Sequence, residues 1–173
     1  MPIIPDTTWG RRDGLLGTAA TKFASTRIGS ATVRGLMPYD RRLLLRTMGR
    51  RTLLGPIGAP MLLLQTTGAK SGQQRTSPLL FARGEGEDVI VVGSNFGGER
   101  HPAWTGNLLA HPDATVISGG VTVPVRATLL GPDEAEAAYA EMVEVTPVYA
   151  EYKHRTDRAI RVFRLTPVSA VGE

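Results

Sequence analysis

From residue 60 onward the chain is a succession of short apolar runs set apart by polar, glycine-rich turns. Met61-Leu62-Leu63-Leu64-Gln65-Thr66-Thr67 has strand length and strand composition, and so has Pro78-Leu79-Leu80-Phe81 across the polar stretch 68–77. Val89-Ile90-Val91-Val92-Gly93-Ser94-Asn95 is an unbroken β-branched run, which predicts a strand covered on both faces. Residues 114–130 alternate about Gly119-Gly120, a pair that supplies the positive φ values of a primed hairpin turn, while Pro124 marks an edge or bulge. Ile160-Arg161-Val162-Phe163-Arg164-Leu165-Thr166 alternates apolar and basic positions as a last, half-exposed strand.

Between these runs the period lengthens. Pro102 suits the first position of a helix whose buried face is Trp104, Leu108 and Leu109 and whose end is Pro112. Gly131-Pro132-Asp133-Glu134 opens a helix reaching Met142, with acids in the turn where the helix dipole favours them. A short helix starts near Pro147, and Tyr149 and Tyr152, three apart, share one of its faces. Six or so antiparallel strands joined by short turns, with helices between them, predict a small closed β-barrel of α+β type.

Ahead of the barrel, Leu44, Leu45 and Met48 share a helical face while Arg42, Arg46 and Arg50 lie elsewhere. Such a basic amphipathic helix either packs on the domain or rests on an anionic membrane surface. Gly49, Gly55, Pro56, Gly58 and Pro60 mark the passage onward, dividing a basic helical extension at 1–58 from the main domain at 59–173.

With 173 residues, 42% of them hydrophobic, the chain can bury one sizeable core. It contains no cysteine, which excludes disulfides, thiolate metal sites, iron–sulfur clusters and cysteine nucleophiles, and fits a reducing cytoplasm. Residues 1–6 lack the basic start and long apolar run of a signal peptide, and no run approaches a membrane span. The net charge of +4 calls for an anionic partner: a phosphorylated cofactor, nucleic acid or an acidic membrane surface. Nucleic acid is disfavoured, because the arginines are scattered and 6% aromatic residues leave few stacking platforms.

The stretch Gly68-Ala69-Lys70-Ser71-Gly72-Gln73-Gln74-Arg75-Thr76-Ser77 is the place for an anion. Two glycines permit positive φ and a concavity of backbone N–H groups, Lys70 and Arg75 flank it, and Ser71, Thr76 and Ser77 add hydroxyls. An ordinary hairpin turn with solvated charges remains open on spacing alone. An ATP-binding P-loop does not, since Gln73 stands where that motif needs lysine and a strand follows where it needs a helix. Gly97-Gly98 after Ser94-Asn95-Phe96 lets the backbone approach a flat ring or simply turn. His101 has no partners at metal-ligand spacing and reads as a packing or capping residue; His111, next to Pro112, reads as structural. Tyr149 and Tyr152 are either core residues or the phenol-bearing wall of a pocket.

Gly68-Ala69-Lys70-Ser71-Gly72, Arg75-Thr76-Ser77-Pro78-Leu79, Gly93-Ser94-Asn95-Phe96-Gly97, His101-Pro102-Ala103-Trp104, Asn107-Leu108 and Tyr149-Ala150-Glu151-Tyr152 with Arg155-Thr156 occur in that order over residues 60–167. This succession resembles the deazaflavin-dependent nitroreductases and F420H2-dependent quinone reductases, which are split β-barrel oxidoreductases using coenzyme F420. The resemblance implies that Lys70, Ser71, Gly72 and Arg75, with Thr76, Ser77 and Pro78, hold the coenzyme's phosphodiester and acidic tail. It places Ser94, Asn95 and Gly97 along the deazaflavin ring, and His101, Pro102, Ala103 and Trp104 at the helix start that completes the groove. Tyr149 and Tyr152 become the catalytic candidates, protonating or orienting the acceptor. Thr146 stands where members carry a third tyrosine, and Phe96 where glycine is common, so the substrate range is open.

The implied reaction is hydride transfer from reduced F420 to a small organic acceptor such as a quinone, an activated alkene or a nitroaromatic, with no metal. An FMN-dependent split-barrel reductase is the alternative enzyme, and a deazaflavin carrier or basic membrane-surface module the non-catalytic one. The expected setting is cytoplasmic, with peripheral contact on the inner membrane face through the basic N-terminal segment, as monomer or homodimer.

Overall fold

The structure is a computed structural model describing residues 4–5, 22–23, 26–53 and 60–168. The expected passage at residues 55–58 and the opening residues 1–3 lie outside the described residues. Six strands, β1 (Met61–Thr67), β2 (Gln74–Arg83), β3 (Val89–Val92), β4 (Asp113–Ser118), β5 (Val121–Leu129) and β6 (Val162–Pro167), form a closed barrel. The order around it is β1-β2-β3-β6-β5-β4, and every pairing is antiparallel. Helices α1 (Arg27–Arg46), α2 (Ala103–Ala110), α3 (Pro132–Val145) and α4 (Val148–Lys153) lie against it. The expected α+β barrel is therefore the observed one.

The apolar runs are continuous because the barrel wall is covered on both sides. In β1, Leu62 and Leu64 point inward to Phe81, Val91, Val116, Phe163 and Leu165, whereas Met61 and Leu63 point outward to Leu44 of α1. In β3, Val89 and Val91 face the interior and Ile90 and Val92 face Tyr139, Met142 and Tyr149 of α3 and α4. The two-residue period thus divides each strand between two cores. Each buried Leu or Phe stabilises the fold by about 1.5–3 kcal/mol.

Several boundaries differ from the expected ones. Strand β2 begins at Gln74, so Arg75, Thr76 and Ser77 belong to the barrel wall and the crossing is only 68–73. Pairing of Thr67 with Gln74 draws the polar residues into the ladder, since backbone hydrogen bonds do not depend on side-chain polarity. Strand β3 stops at Val92, and Asn95–Gly97 forms a 3-10 turn with Asn95, Phe96 and Gly97 all at positive φ. The hairpin at Gly119-Gly120 has the two positive φ values expected of a primed turn. On α2 the buried face is Trp104, Thr105, Asn107 and Leu108, while Leu109 is exposed and Pro102 caps the helix. Leu44 alone of the expected trio on α1 is buried; Leu45 and Met48 are exposed, and Met48 lies beyond the helix end.

Helix α1 begins much earlier than the arginine-rich segment, at the Thr26 cap, whose hydroxyl accepts from the Gly29 N–H at 2.9 Å. Its far end is fixed by Asp40, a fully buried carboxylate accepting from the Thr52 hydroxyl and the Leu53 N–H. This places α1 along β2, with Val33 and Met37 against an apolar cavity.

Candidate active site

The turn between β1 and β2 holds its shape through its own backbone. The Gly68 N–H donates to the Gln73 carbonyl and the Gly72 N–H to the Gly68 carbonyl, both at 2.8 Å, with Gly72 at φ +65°. The Ala69 N–H donates to Asn107 Oδ1 at 3.0 Å, and Asn107 Nδ2 donates to Thr66 Oγ1, so α2 clamps the turn. These three N–H groups are therefore engaged within the fold, and the expected backbone concavity is replaced by a groove of side chains. Lys70, Ser71, Arg75, Thr76 and Ser77 line it, with Ala103 and Trp104 from the start of α2 and Arg41 from α1. The Arg41 Nε donates to the Thr76 carbonyl at 2.9 Å, and Arg75 Nη2 to Gln73 Oε1 at 3.0 Å. Arg41, Lys70 and Arg75 bring three cations to a groove that no acidic side chain among the described residues lines, a donor set suited to phosphate or carboxylate groups.

Ser77 and Trp104 also line a second space, an apolar cavity of about 270 Å³. Its walls are Ser77, Pro78, Leu79 and Leu80 of β2, Ser94, Asn95 and Phe96 at the 3-10 turn, Pro102, and the joint of α3 and α4 with Thr146, Tyr149 and Tyr152. Val33 and Met37 of α1 close the outer side. A ring-sized apolar chamber that shares Ser77 and Trp104 with a basic groove fits a flat cofactor with an anionic tail.

The tyrosines stand ring to ring. Tyr149 and Tyr152 have centroids 5.4 Å apart at 64°, and Tyr139 meets Tyr149 at 6.1 Å while its hydroxyl donates to the Tyr149 carbonyl at 2.7 Å. Burial, then the neighbouring phenol of Tyr152, pushes Tyr149 well above the ordinary tyrosine range, against a hydrogen bond with Ser94. Burial likewise raises Tyr152, opposed by a hydrogen bond with Ser30 and by Arg155 and Arg34. Both phenols accordingly keep their protons at neutral pH.

Behind the 3-10 turn lies Arg158. Its guanidinium donates to the carbonyls of Gly98 (2.8 Å), Gly93 (3.0 Å) and Ser94 (2.7 Å), and its Nη1 stands 3.1 Å from His101 Nδ1. Burial, followed by Arg161 and Arg158, lowers the His101 pKa, which suits a neutral ring accepting from the guanidinium. Gly97 turns toward α4, where a Cβ would come within 2.9 Å of the Tyr152 carbonyl.

Of the residues singled out from sequence, Lys70, Ser71, Arg75, Thr76, Ser77, Ala103 and Trp104 meet at the groove. Pro78, Ser94, Asn95, Pro102, Tyr149 and Tyr152 meet at the cavity, which Ser77 and Trp104 share. Gly72, Gly97 and His101 line neither space and act through the shape of the turns. Sequence reasoning missed the wall supplied by α1. Ser30, Val33, Arg34, Met37 and Arg41 fall at helical spacing on one face, a stripe that the cap at Thr26 would have brought into view.

The F420H(2)-dependent quinone reductase family model matches residues 54–167. The F420H(2)-dependent quinone reductase Rv1261c of Mycobacterium tuberculosis is 37% identical over 116 residues, covering 64% of this chain and 76% of the relative. The solved structure of an F420-H2 dependent reductase, FDR-A, has a TM-score of 0.56 and 39% identity, covering 61% of this chain and 93% of that one. A solved chain described as a domain-swapped dimer has a TM-score of 0.57 and 35% identity, covering 74% of this chain and 97% of its own. The basic groove, the ring-sized cavity and the tyrosine pair are thus carried by a chain that belongs to the F420H(2)-dependent quinone reductase family, an oxidoreductase whose cofactor is coenzyme F420.

Proposed function

We propose that the acidic tail of F420 lies among Arg41, Lys70 and Arg75 and that its ring enters the apolar cavity past Ser77 and Trp104, where the acceptor joins it beneath Tyr149 and Tyr152. The observation that carries this reading is that the two spaces share Ser77 and Trp104 as a common border. When bound, reduced F420 supplies the hydride. The protein's part is to hold tail and ring in register, exclude water with Val33, Met37 and Trp104, and meet the charge that develops on the acceptor oxygen. Tyr152 fills the last role: its phenol is protonated at neutral pH, partly open to the cavity, and positioned by Tyr149 and Phe96. An FMN-dependent reaction is the weaker reading, because a groove with three cations beyond the ring pocket favours a coenzyme with an extended acidic tail.

The acceptor best suited to this cavity is a quinone, whose flat ring and carbonyl oxygens match apolar walls with phenol donors. Helix α1 also leaves Ile28, Leu36 and Tyr39 exposed beside Arg42 and Arg46, a face that favours peripheral contact with an anionic membrane, where quinones partition. No helix among the described residues is long and apolar enough to cross a membrane. Cosedimentation with anionic vesicles and not with neutral ones tests that contact; recovery in the supernatant with both removes it.

Turnover of a naphthoquinone by reduced F420 tests the proton-donor role. In Tyr152→Phe, kcat should fall on the order of a hundredfold with coenzyme affinity kept. Unchanged kcat would take the role from Tyr152.

A further inference from the structure

Arg155 follows the two tyrosines along the chain and lines neither the groove nor the cavity. Three elements nevertheless converge on it. Its N–H donates to the Tyr152 carbonyl at 3.3 Å, at the end of α4. Its stem packs on the 3-10 turn, where a Cβ at Gly97 would stand 2.6 Å from Arg155 Cβ and 3.2 Å from its Cδ, so that position has no room for a side chain. Its Nη1 donates to Oγ of Ser30 on α1 at 3.1 Å, and Ser30 is buried. Held at stem and head in this way, the guanidinium carbon stands 5.4 Å from the centre of the Tyr152 ring.

A cation over the face of a phenol has two effects. It attracts the ring's electron density and so holds the ring in place. It also stabilises negative charge on the phenol oxygen, which grows as the phenol shares its proton with an acceptor. Burial raises the pKa of Tyr152, and the influences that oppose burial are a hydrogen bond with Ser30, then Arg155 and Arg34. Burial raises Tyr149 too, but the groups acting on it by charge are the phenols of Tyr152 and Tyr139, which push the same way as burial. Of these two phenols in the cavity wall, Tyr152 is therefore the one with arginines set against it.

We propose that Arg155, anchored by Ser30, is a positioning residue that holds Tyr152 in the cavity wall and makes it, rather than Tyr149, the stronger hydrogen-bond donor to an acceptor oxygen. The inference rests on the proposed role of Tyr152 and goes beyond it by naming what selects that phenol. Because Ser30 belongs to α1, the helix that closes the cavity also completes the support of its donor.

A double-mutant cycle tests this on the full chain with reduced F420 and the naphthoquinone menadione. Arg155→Met keeps an unbranched stem and removes the charge; Arg155→Lys keeps the charge. In Arg155→Met we expect kcat to fall about tenfold, with KM for menadione and the F420 Kd from fluorescence titration both within about twofold of wild type. Arg155→Lys should recover part of that loss. In a Tyr152→Phe background, Arg155→Met should cost nothing further, because the hydroxyl through which it acts is gone. Ser30→Ala runs the same cycle with a one-atom deletion, keeping the test decisive if Arg155→Met does not fold; we expect about a threefold loss of kcat that likewise vanishes in Tyr152→Phe. Wild-type kcat in both Arg155→Met and Ser30→Ala would overturn the proposal while Tyr152→Phe stays slow. So would a full tenfold loss repeated in the Tyr152→Phe background, which would show Arg155 acting apart from that phenol. Wild-type kcat in Tyr152→Phe itself would overturn the donor reading and this inference together.

Discussion

Phe96 holds its ring edge-on to Tyr152, centroids 5.7 Å apart at 69°, from a backbone at φ +56° that bulky residues avoid. Arg34 of α1 stacks over the same ring at 5.1 Å. Phe96 thus ties α1, the 3-10 turn and the tyrosine together, and narrows the cavity that it lines. The left-handed conformation costs a non-glycine residue about 1–2 kcal/mol. Phe96→Gly and Phe96→Ala both remove the ring, and only glycine relieves the strain. Urea unfolding should therefore find Phe96→Gly the more stable of the two by about 1 kcal/mol. Either variant should accept bulkier quinones, seen as a rise in kcat/KM for substituted rings relative to small ones.

Tyr139, Tyr149 and Tyr152 set the behaviour in alkali. Burial raises all three, with Tyr139 pushed up to about 12 from an ordinary value of 10.0. Below pH 10 the folded and unfolded chains carry the same protons on these phenols and stability does not depend on them. Above it the unfolded chain ionises first, so stability should fall as pH rises from about 10 toward 12. Denaturation midpoints between pH 9 and 12 check this. Full phenolate absorbance from the folded protein at pH 10 would contradict it.

His101 works in the opposite direction. Its pKa is lowered from 6.5, so the contribution of the neutral ring is present above that pH and is lost as pH falls below it, when the unfolded chain takes up the proton first. The contact with Arg158 further requires Nδ1 to be bare and Nε2 to carry the hydrogen. Nitrogen NMR of the imidazole should show that tautomer at pH 7 and a titration midpoint under 6.5. Arg158→Lys cannot reproduce four bonds from one fork and leaves carbonyls of Gly93, Ser94 and Gly98 short of donors, so it should lower Tm as well as raise KM for both substrates.

Asp40 anchors the wall that α1 supplies. Removing its carboxylate takes the acceptor from the Leu53 N–H and the carboxylate partner from the Thr52 hydroxyl, at a cost of about 1–3 kcal/mol. Asp40→Ala should unfold at lower urea and bind F420 more weakly, because Val33, Met37 and Arg41 ride on the same helix.

Much of the fold is legible in the sequence. The barrel strands declare themselves because short apolar runs, continuous in β1 and β3 and alternating around Gly119-Gly120, and paired glycines are local signals; at Gly119-Gly120 both φ values are positive as expected. Tyr149 and Tyr152 share a face because three-residue spacing does not depend on the rest of the fold. The side-chain groove at Lys70 and Arg75 was legible as charge, but the commitment of the Gly68, Ala69 and Gly72 N–H groups was not. The Gly68 and Gly72 bonds close within the turn, but that of Ala69 depends on Asn107, 38 residues away, and no local pattern encodes it. The wall that α1 supplies is not legible for a different reason. The amphipathic signal is concentrated in the arginine–leucine run at its C-terminal end, while Val33 and Met37, embedded among small and polar residues, carry too weak a periodicity to announce a pocket wall.

The central claim is that one continuous site takes an anionic tail at Arg41, Lys70 and Arg75 and a ring at the tyrosines. Fluorescence titration of the purified protein with F420, beside Arg75→Ala and Arg41→Ala, tests it most directly. Saturable binding to wild type is predicted, weakened on the order of tenfold or more in each variant through loss of a charge-assisted bond worth about 1.5–3 kcal/mol. Wild-type affinity in both variants, or tighter binding of FMN than of F420, would contradict it.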